Sequence, residues 1–342
     1  MIRNYTLGQT GITVPQNAFG VLPLQRTDME TAVMILRKAY DGGMRFFDTA
    51  RAYTDSEEKV GKAFAGMREK VFIASKTHAL TPDEFRKDLE TSLEKLQTDY
   101  IDLYQFHQVN QCWKPGDGSG MYECMLEAKA AGKIRHIGVT AHKIEVAYEC
   151  VESGLYETMQ FPFSYLSGEK EIRLVSMCHE RNMGFIAMKS LAGGLITHAE
   201  AAMAFALEHD VLPIWGIQRE SELDEWLSFM DHDAVMTDEI RAFIEKEKQE
   251  LAGDFCRGCG YCMPCPMGIK INTCARMSLL LRRAPSATWL SETGQAEREK
   301  IETCIHCYQC ASKCPYELDT PALLEKNLAD YRRVLAGEVK VQ

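Results

Sequence analysis

Four residues in the first third of the chain have the types and spacing to move a proton: Asp48, Tyr53, Lys76 and His107. A tyrosine is a weak acid with a pKa of roughly 10, too high to protonate a developing alkoxide readily at neutral pH. A lysine cation beside it lowers that pKa, and a carboxylate can hold the lysine in place. A histidine on the other side can donate to a substrate oxygen. The four together read as a site for proton transfer to and from a carbonyl or alcohol oxygen. A second constellation is built of sulfur. Of thirteen cysteines, nine lie between Cys256 and Cys314. Cys256, Cys259, Cys262 and Cys265 form one run, Cys304, Cys307, Cys310 and Cys314 another, and each ends in Cys-Pro. Thiolates at every third residue wrap a cubane cluster, and the trailing cysteine reaches over to the other cluster. That rule gives Cys256, Cys259, Cys262 and Cys314 one [4Fe–4S] cluster, and Cys304, Cys307, Cys310 and Cys265 a second. The first run is one residue short before Cys265, which leaves Cys274 as an alternative ligand. Zinc ribbons use cysteine pairs rather than four-cysteine runs.

The proton-transfer residues sit at or just past the ends of stretches that read as strands. In a parallel β/α array those ends meet on one rim, where catalytic groups usually sit. Strand-like stretches fall near 17–21, 44–48, 71–76, 100–107, 134–139, 157–161, 184–188 and 211–216. Helical stretches separate them, near 28–41, 56–65, 82–96, 119–131, 143–152, 169–181, 199–208 and 220–230. Eight β/α units in this length predict a closed (β/α)8 TIM barrel rather than an open sheet. Thr27 and Glu30 are spaced as a capping box, and Thr81-Pro82 with Glu84 marks another helix start. Residues 2–14 read as a short hairpin, and 237–251 as a further helix. The composition changes after 252–254, so the expected domains are a barrel over 1–253 and a smaller, mostly helical, ferredoxin-like domain over 254–342.

A net charge of −10 argues against nucleic acid or an anionic membrane surface as partner. The start, Met1-Ile2-Arg3-Asn4-Tyr5-Thr6, carries no apolar run, so neither a signal peptide nor a membrane span is expected. The expected location is cytoplasmic, and the clustered cysteines favour metal over disulfides.

Around the four residues the chain resembles the aldo-keto reductase family. Asp48-Thr49-Ala50 with Tyr53, Glu57 or Glu58 and Gly61 resembles the second strand and helix of that family. Asp99-Tyr100-Ile101-Asp102-Leu103-Tyr104 before His107 resembles its fourth strand, and 132–139 its fifth. Leu7-Gly8-Gln9-Thr10-Gly11 resembles its N-terminal hairpin. The resemblance covers about 1–230. It implies a TIM barrel, carbonyl/alcohol interconversion of a small molecule, and NADH or NADPH across the rim. Tyr53 would be the general acid, tuned by Lys76 and Asp48, with His107 orienting the substrate oxygen. Thr140 and Gln160 would meet the nicotinamide carboxamide. Met188 stands where an aromatic commonly stacks, and Lys189-Ser190-Leu191-Ala192-Gly193-Gly194 resembles the loop along the pyrophosphate. Gly216, Gln218 and Arg219 belong to the adenosine-phosphate loop, Arg219 being placed to serve a phosphate. Glu222 stands where an NADPH-binding member has arginine, and Trp226 where it has asparagine, which favours NADH. The cysteine runs resemble dicluster ferredoxin modules.

Three functions are compatible with this sequence. The first is a nicotinamide-dependent carbonyl/alcohol oxidoreductase decorated with, or coupled to, an iron–sulfur module. The second drops the nicotinamide and reduces a barrel-bound substrate with electrons from the clusters, supplied by a ferredoxin or another redox protein. The third is an electron-carrier subunit of a larger redox complex.

Overall fold

The computed structural model describes residues 1–251, 255–258, 260–283, 286–314 and 316–341. Two compact units emerge. One comprises Met1–Ser190 with Ala199–Thr237, the other Leu191–His198 with Asp238–Gln342. The boundary expected at 253 therefore falls inside the second unit.

The first unit opens with an antiparallel hairpin of β1 (Asn4–Thr6) and β2 (Thr13–Pro15). Eight parallel strands then close a barrel: β3 (Ala18–Gly20), β4 (Phe46–Asp48), β5 (Phe72–Thr77), β6 (Ile101–Val109), β7 (Ile134–Ala141), β8 (Thr158–Pro162), β9 (Gly184–Met188) and β10 (Leu212–Gly216). The strand β10 pairs with β3 to complete the ring. The hairpin supplies Tyr5, Leu7, Ile12 and Val14 to an apolar cluster with Phe46, Leu103 and Ile186 from the barrel. The Phe185 amide donates to the Tyr5 hydroxyl at 3.0 Å.

Helices follow the strands for local reasons. In α3 (Pro82–Leu96), Phe85, Leu89, Leu93 and Leu96 recur at helical spacing and are buried. Pro82 opens it and the Thr81 hydroxyl accepts from the Glu84 amide at 3.4 Å. The helix α1 (Met29–Asp41) departs from expectation: its cap is Asp28, whose carboxylate accepts from the Thr31 amide at 2.9 Å, one residue beyond Thr27. A carboxylate at an N-terminus also meets the positive end of the helix dipole, which favours it over a hydroxyl. In α2 (Ser56–Phe64), a Cβ added to Gly61 would lie 2.4 Å from the Lys95 carbonyl, so glycine permits the close approach to α3.

The second unit is helical among its described residues, with Asp238–Glu250, Ile271–Cys274, Met277–Arg283, Glu292–Glu299 and Thr320–Leu335 as its main elements. The helix expected over 271–283 breaks at Ala275-Arg276. Its core gathers Ile269, Ile271, Met277, Leu281, Leu324 and Tyr331 beside the cysteines. No helix among the described residues is long and apolar enough to cross a membrane.

Candidate active site and cysteine cavities

The strand ends bring the four residues together. Lys76 Nζ donates to Asp48 Oδ1 and to the Thr49 carbonyl, both at 2.6 Å. Both side chains of this pair are buried. The cation lies 5.3 Å from the centre of the Tyr53 ring, and the His107 ring meets that ring edge-on at 5.6 Å. Asp48 Oδ1 is also within 3.4 Å of Gln160 Nε2, and Gln105 donates to Gln160 Oε1 at 2.8 Å.

Burial sets the protonation of the group. It pushes Asp48 up and Lys76 down, and each opposes the shift of the other. At 2.6 Å the pair holds as carboxylate and ammonium. The Tyr53 phenol goes the opposite way from the sequence expectation. Desolvation, and after it the Asp48 carboxylate, raise its pKa above the ordinary tyrosine value. Lys76 spends its charge on Asp48 and Thr49 rather than on the phenol. Burial, and then Lys76, His78, His142 and Lys189, hold His107 well below the usual histidine range, so the ring is neutral. Its Nδ1 is buried with no hydrogen-bond partner among the described residues.

His78 was not singled out by the sequence. It follows β5, and its ring stacks on His107 at 4.0 Å and 19°. Nothing in its spacing announces this, because the stack depends on how the loop after the strand turns. A break in register between Phe106 and Val109 leaves Gln108 with φ of 54°. The Gln108 amide then donates to Thr140 Oγ1 at 2.7 Å. Such bulges commonly re-aim a side chain beside an active site. Cys112 is buried and turns to Cys150, whose hydrogen bond lowers its thiol to about 7.

In the second unit the thiols ring two cavities. Cys256, Cys262 and Cys314 line one, with Ile271, Tyr316 and Leu318 in its wall. Cys265, Cys304, Cys307 and Cys310 line the other together with Cys262, walled by Ile269, Ile271 and Leu324. Cys259 lies outside the described residues. Cys274 is fully buried and lines neither cavity. Among the described residues no three ligand side chains converge as for a single ion. Thiols spread around apolar chambers are the donor set that suits a sulfur-bridged cluster.

Residues 16–210 match the aldo/keto reductase family. The chain belongs to that family. Residues 255–319 match the 4Fe–4S dicluster domain, so this aldo/keto reductase carries such a domain after its barrel. It is 31% identical over 221 residues to the uncharacterized oxidoreductase YrpG of Bacillus subtilis (strain 168), covering 56% of this chain and 67% of the relative. It is 34% identical over 186 residues to the aldo-keto reductase YhdN of the same strain, covering 50% of this chain and 55% of the relative. The chain thus spans between 55% and 67% of the length of these two relatives. An aldo-keto reductase structure from Klebsiella pneumoniae in complex with NADPH shares the fold, with a TM-score of 0.59, 23% identity, and coverage of 72% of this chain and 95% of that one.

The residues that family resemblance assigns to the nucleotide are partly engaged in this aldo/keto reductase. Both ends of the Gln160 amide serve Asp48 and Gln105, leaving one N–H and one lone pair. Thr140 Oγ1 accepts from the bulge and keeps its own proton to donate. Ser190 donates to the Ala187 carbonyl at 3.1 Å, and Met188 packs against the barrel core. Gly216 ends β10. Arg219 is locked: its Nε and Nη2 donate to Glu222 Oε1 at 2.9 and 2.7 Å. The Gln218 and Arg219 amides donate to Glu222 Oε2 at 2.8 and 3.0 Å. Although burial raises Glu222, these bonds bring it below its ordinary value. The arginine expected to serve a phosphate is therefore already paired. Trp226 stacks on Trp215 at 3.8 Å and is core, not rim.

Proposed function

We propose that this chain interconverts a small carbonyl compound and its alcohol with a nicotinamide dinucleotide, Tyr53 being the proton donor in reduction. The observation that carries this is the Tyr53 ring set between the His107 ring at 5.6 Å and the Lys76 ammonium at 5.3 Å, with that ammonium anchored on Asp48 at 2.6 Å. A bound nicotinamide supplies the hydride. Of this chain's groups, His107 donates an N–H to the substrate oxygen and orients it. Tyr53 gives its phenolic proton to that oxygen. Lys76 keeps a fixed cation near the ring, and Asp48 with Gln160 keeps Lys76 in place. Thr140, Gln160, Met188, Lys189, Ser190, Leu191, Gly193, Gly216, Gln218 and Arg219 remain the proposed nucleotide contacts.

The choice between NADH and NADPH rests on two opposed facts. The solved relative described above holds NADPH. Here Glu222, in the first turn of the helix after β10, stands where the resemblance puts the contact to a 2′-phosphate and pairs with Arg219, which supports NADH. The eight cysteines assigned above would hold two iron–sulfur clusters, which would supply one-electron transfer. The ring of thiols around each chamber supports two of them, in reach of an external redox protein at the exposed Cys307.

A second reading omits the nucleotide and reduces the barrel-bound substrate through the clusters. The Arg219–Glu222 lock and the buried Trp226 favour it. Anaerobic titration of iron-loaded protein with NADH and with NADPH separates the two. Quenching or enhancement of nucleotide fluorescence is expected. No binding of either nucleotide would overturn the first reading in favour of the second.

A further inference from the structure

The loop that joins β5 to α3 is pinned on both sides of one exposed histidine. Thr77 Oγ1 donates to Asp88 Oδ2 on α3 at 2.5 Å and accepts from the Ala79 amide at 2.9 Å. The Leu80 amide donates to Glu84 Oε2, in the first turn of α3, at 3.1 Å. A hydroxyl that bonds the amide two residues on is a local turn device, so the main chain at this point has little freedom. His78 lies between these anchors and is exposed.

Its ring lies flat over His107, with 4.0 Å between centres and 19° between planes. His107 is only 8% exposed, so the outer ring roofs the buried one. Tyr53 meets the same His107 ring edge-on, at 5.6 Å and 77°. The His107 ring is thus bounded by one ring on its face and another at its edge. A functional histidine is commonly fixed by a hydrogen bond from one ring nitrogen to a carbonyl or carboxylate, which sets its plane and tautomer. His107 Nδ1 has no such partner among the described residues. The stack is left to hold the plane that this bond would hold.

We propose that His78 is a positioning residue: by stacking on His107 it fixes the plane in which that ring presents its N–H to the substrate oxygen. The proposal rests on the carbonyl-reducing reading of the site, in which His107 orients that oxygen. The charged groups around the pair keep both rings neutral. Burial lowers the His78 pKa against the pull of Asp88 and the His107 carbonyl, and Lys76 adds to the lowering. Burial, then Lys76, His78, His142 and Lys189, hold His107 well below the histidine range. Removing the roof admits water to the His107 ring, which weakens the largest of those causes and lets its pKa rise.

The test uses iron-loaded full-length protein: wild type, His78→Phe, which keeps a flat ring without nitrogens, and His78→Ala, which removes the ring. Ring-labelled histidine NMR follows the His107 nitrogens through a pH titration with no substrate present, the His107 signals being those lost in His107→Gln. Steady-state rates are measured over the same pH range with benzaldehyde as the carbonyl probe and NADH or NADPH. His78→Ala should lower kcat about two- to tenfold, the weight of an aromatic pair, with KM little changed. It should also move the His107 titration, and the acid limb of the rate profile, to higher pH. His78→Phe should stay near wild type in every readout. Wild-type values in His78→Ala overturn the proposal. So does a His78→Phe variant impaired as much as His78→Ala, because an imidazole nitrogen would then be the working group and not the stack. Lower thermal stability of His78→Ala with unmoved His107 signals overturns it in favour of a purely structural role. Wild type that binds neither nucleotide loses the carbonyl-reducing reading, whereas the His107 titration needs neither nucleotide nor substrate and judges His78 on its own.

Discussion

At the scale of residues, the raised Tyr53 phenol has a direction built into it. A pKa above the ordinary value keeps the proton on through neutral pH, which suits reduction; alcohol oxidation needs the phenolate. Reduction should therefore be flat from pH 6 to 9, while oxidation climbs throughout that range, as initial rates in both directions will show. Tyr53→Phe should lower carbonyl turnover by about 10²–10⁴-fold with nucleotide affinity unchanged, measured by steady-state kinetics and fluorescence titration. Retained turnover would remove Tyr53 as donor. Asp48→Ala leaves a fully buried ammonium without its carboxylate and should cost about 3–5 kcal/mol in urea unfolding. The grouping of the four was legible because Asp48, Lys76 and His107 lie at or near the ends of strands whose apolar runs are plain in the sequence, and Tyr53 follows in the turn after the first. The sign of the Tyr53 shift was not, since it depends on Lys76 spending its charge on Asp48 and Thr49. The Arg219–Glu222 lock did leave a trace: the two are three apart at a helix start, the spacing at which opposite charges pair.

At the scale of elements, the bulge in β6 matters more than strand length. It falls at His107 and Gln108 and leaves the Gln108 amide to Thr140. Thr140→Val keeps the shape and removes the acceptor. A buried unsatisfied amide costs about 1–3 kcal/mol, so the variant should lose that in unfolding and should lose turnover as well. Wild-type values in both would mean that the bulge is held by other contacts. Helix and strand positions were readable to within a few residues, because periodicity and caps are local. The bulge was not, because it is a relation between two strands. The shift of the α1 cap from Thr27 to Asp28 is a smaller case, where two adjacent capping residues compete and only geometry decides.

At the scale of the molecule, two units carry two kinds of chemistry, and they should fail separately. Cys307→Ala should lose about half the iron while Cys274→Ala loses none, with the barrel's near-ultraviolet spectrum unchanged in both. Iron retained by the first, or lost by the second, would redraw the ligand sets. The division into a barrel and a cysteine-rich part was legible from composition. That Leu191–His198 groups with the later residues was not, since no local signal marks a loop for a distant partner. The hairpin at the barrel floor has a consequence for how the protein is made. Tyr5 bonds to a residue 180 positions later, and β3 must wait for β10. At about 5–20 residues per second on the ribosome, that interval is roughly 10–40 s. Throughout it Leu7, Ile12 and Val14 have no floor to cover, so the nascent chain presents a sticky leading segment, the kind of surface a holding chaperone takes up.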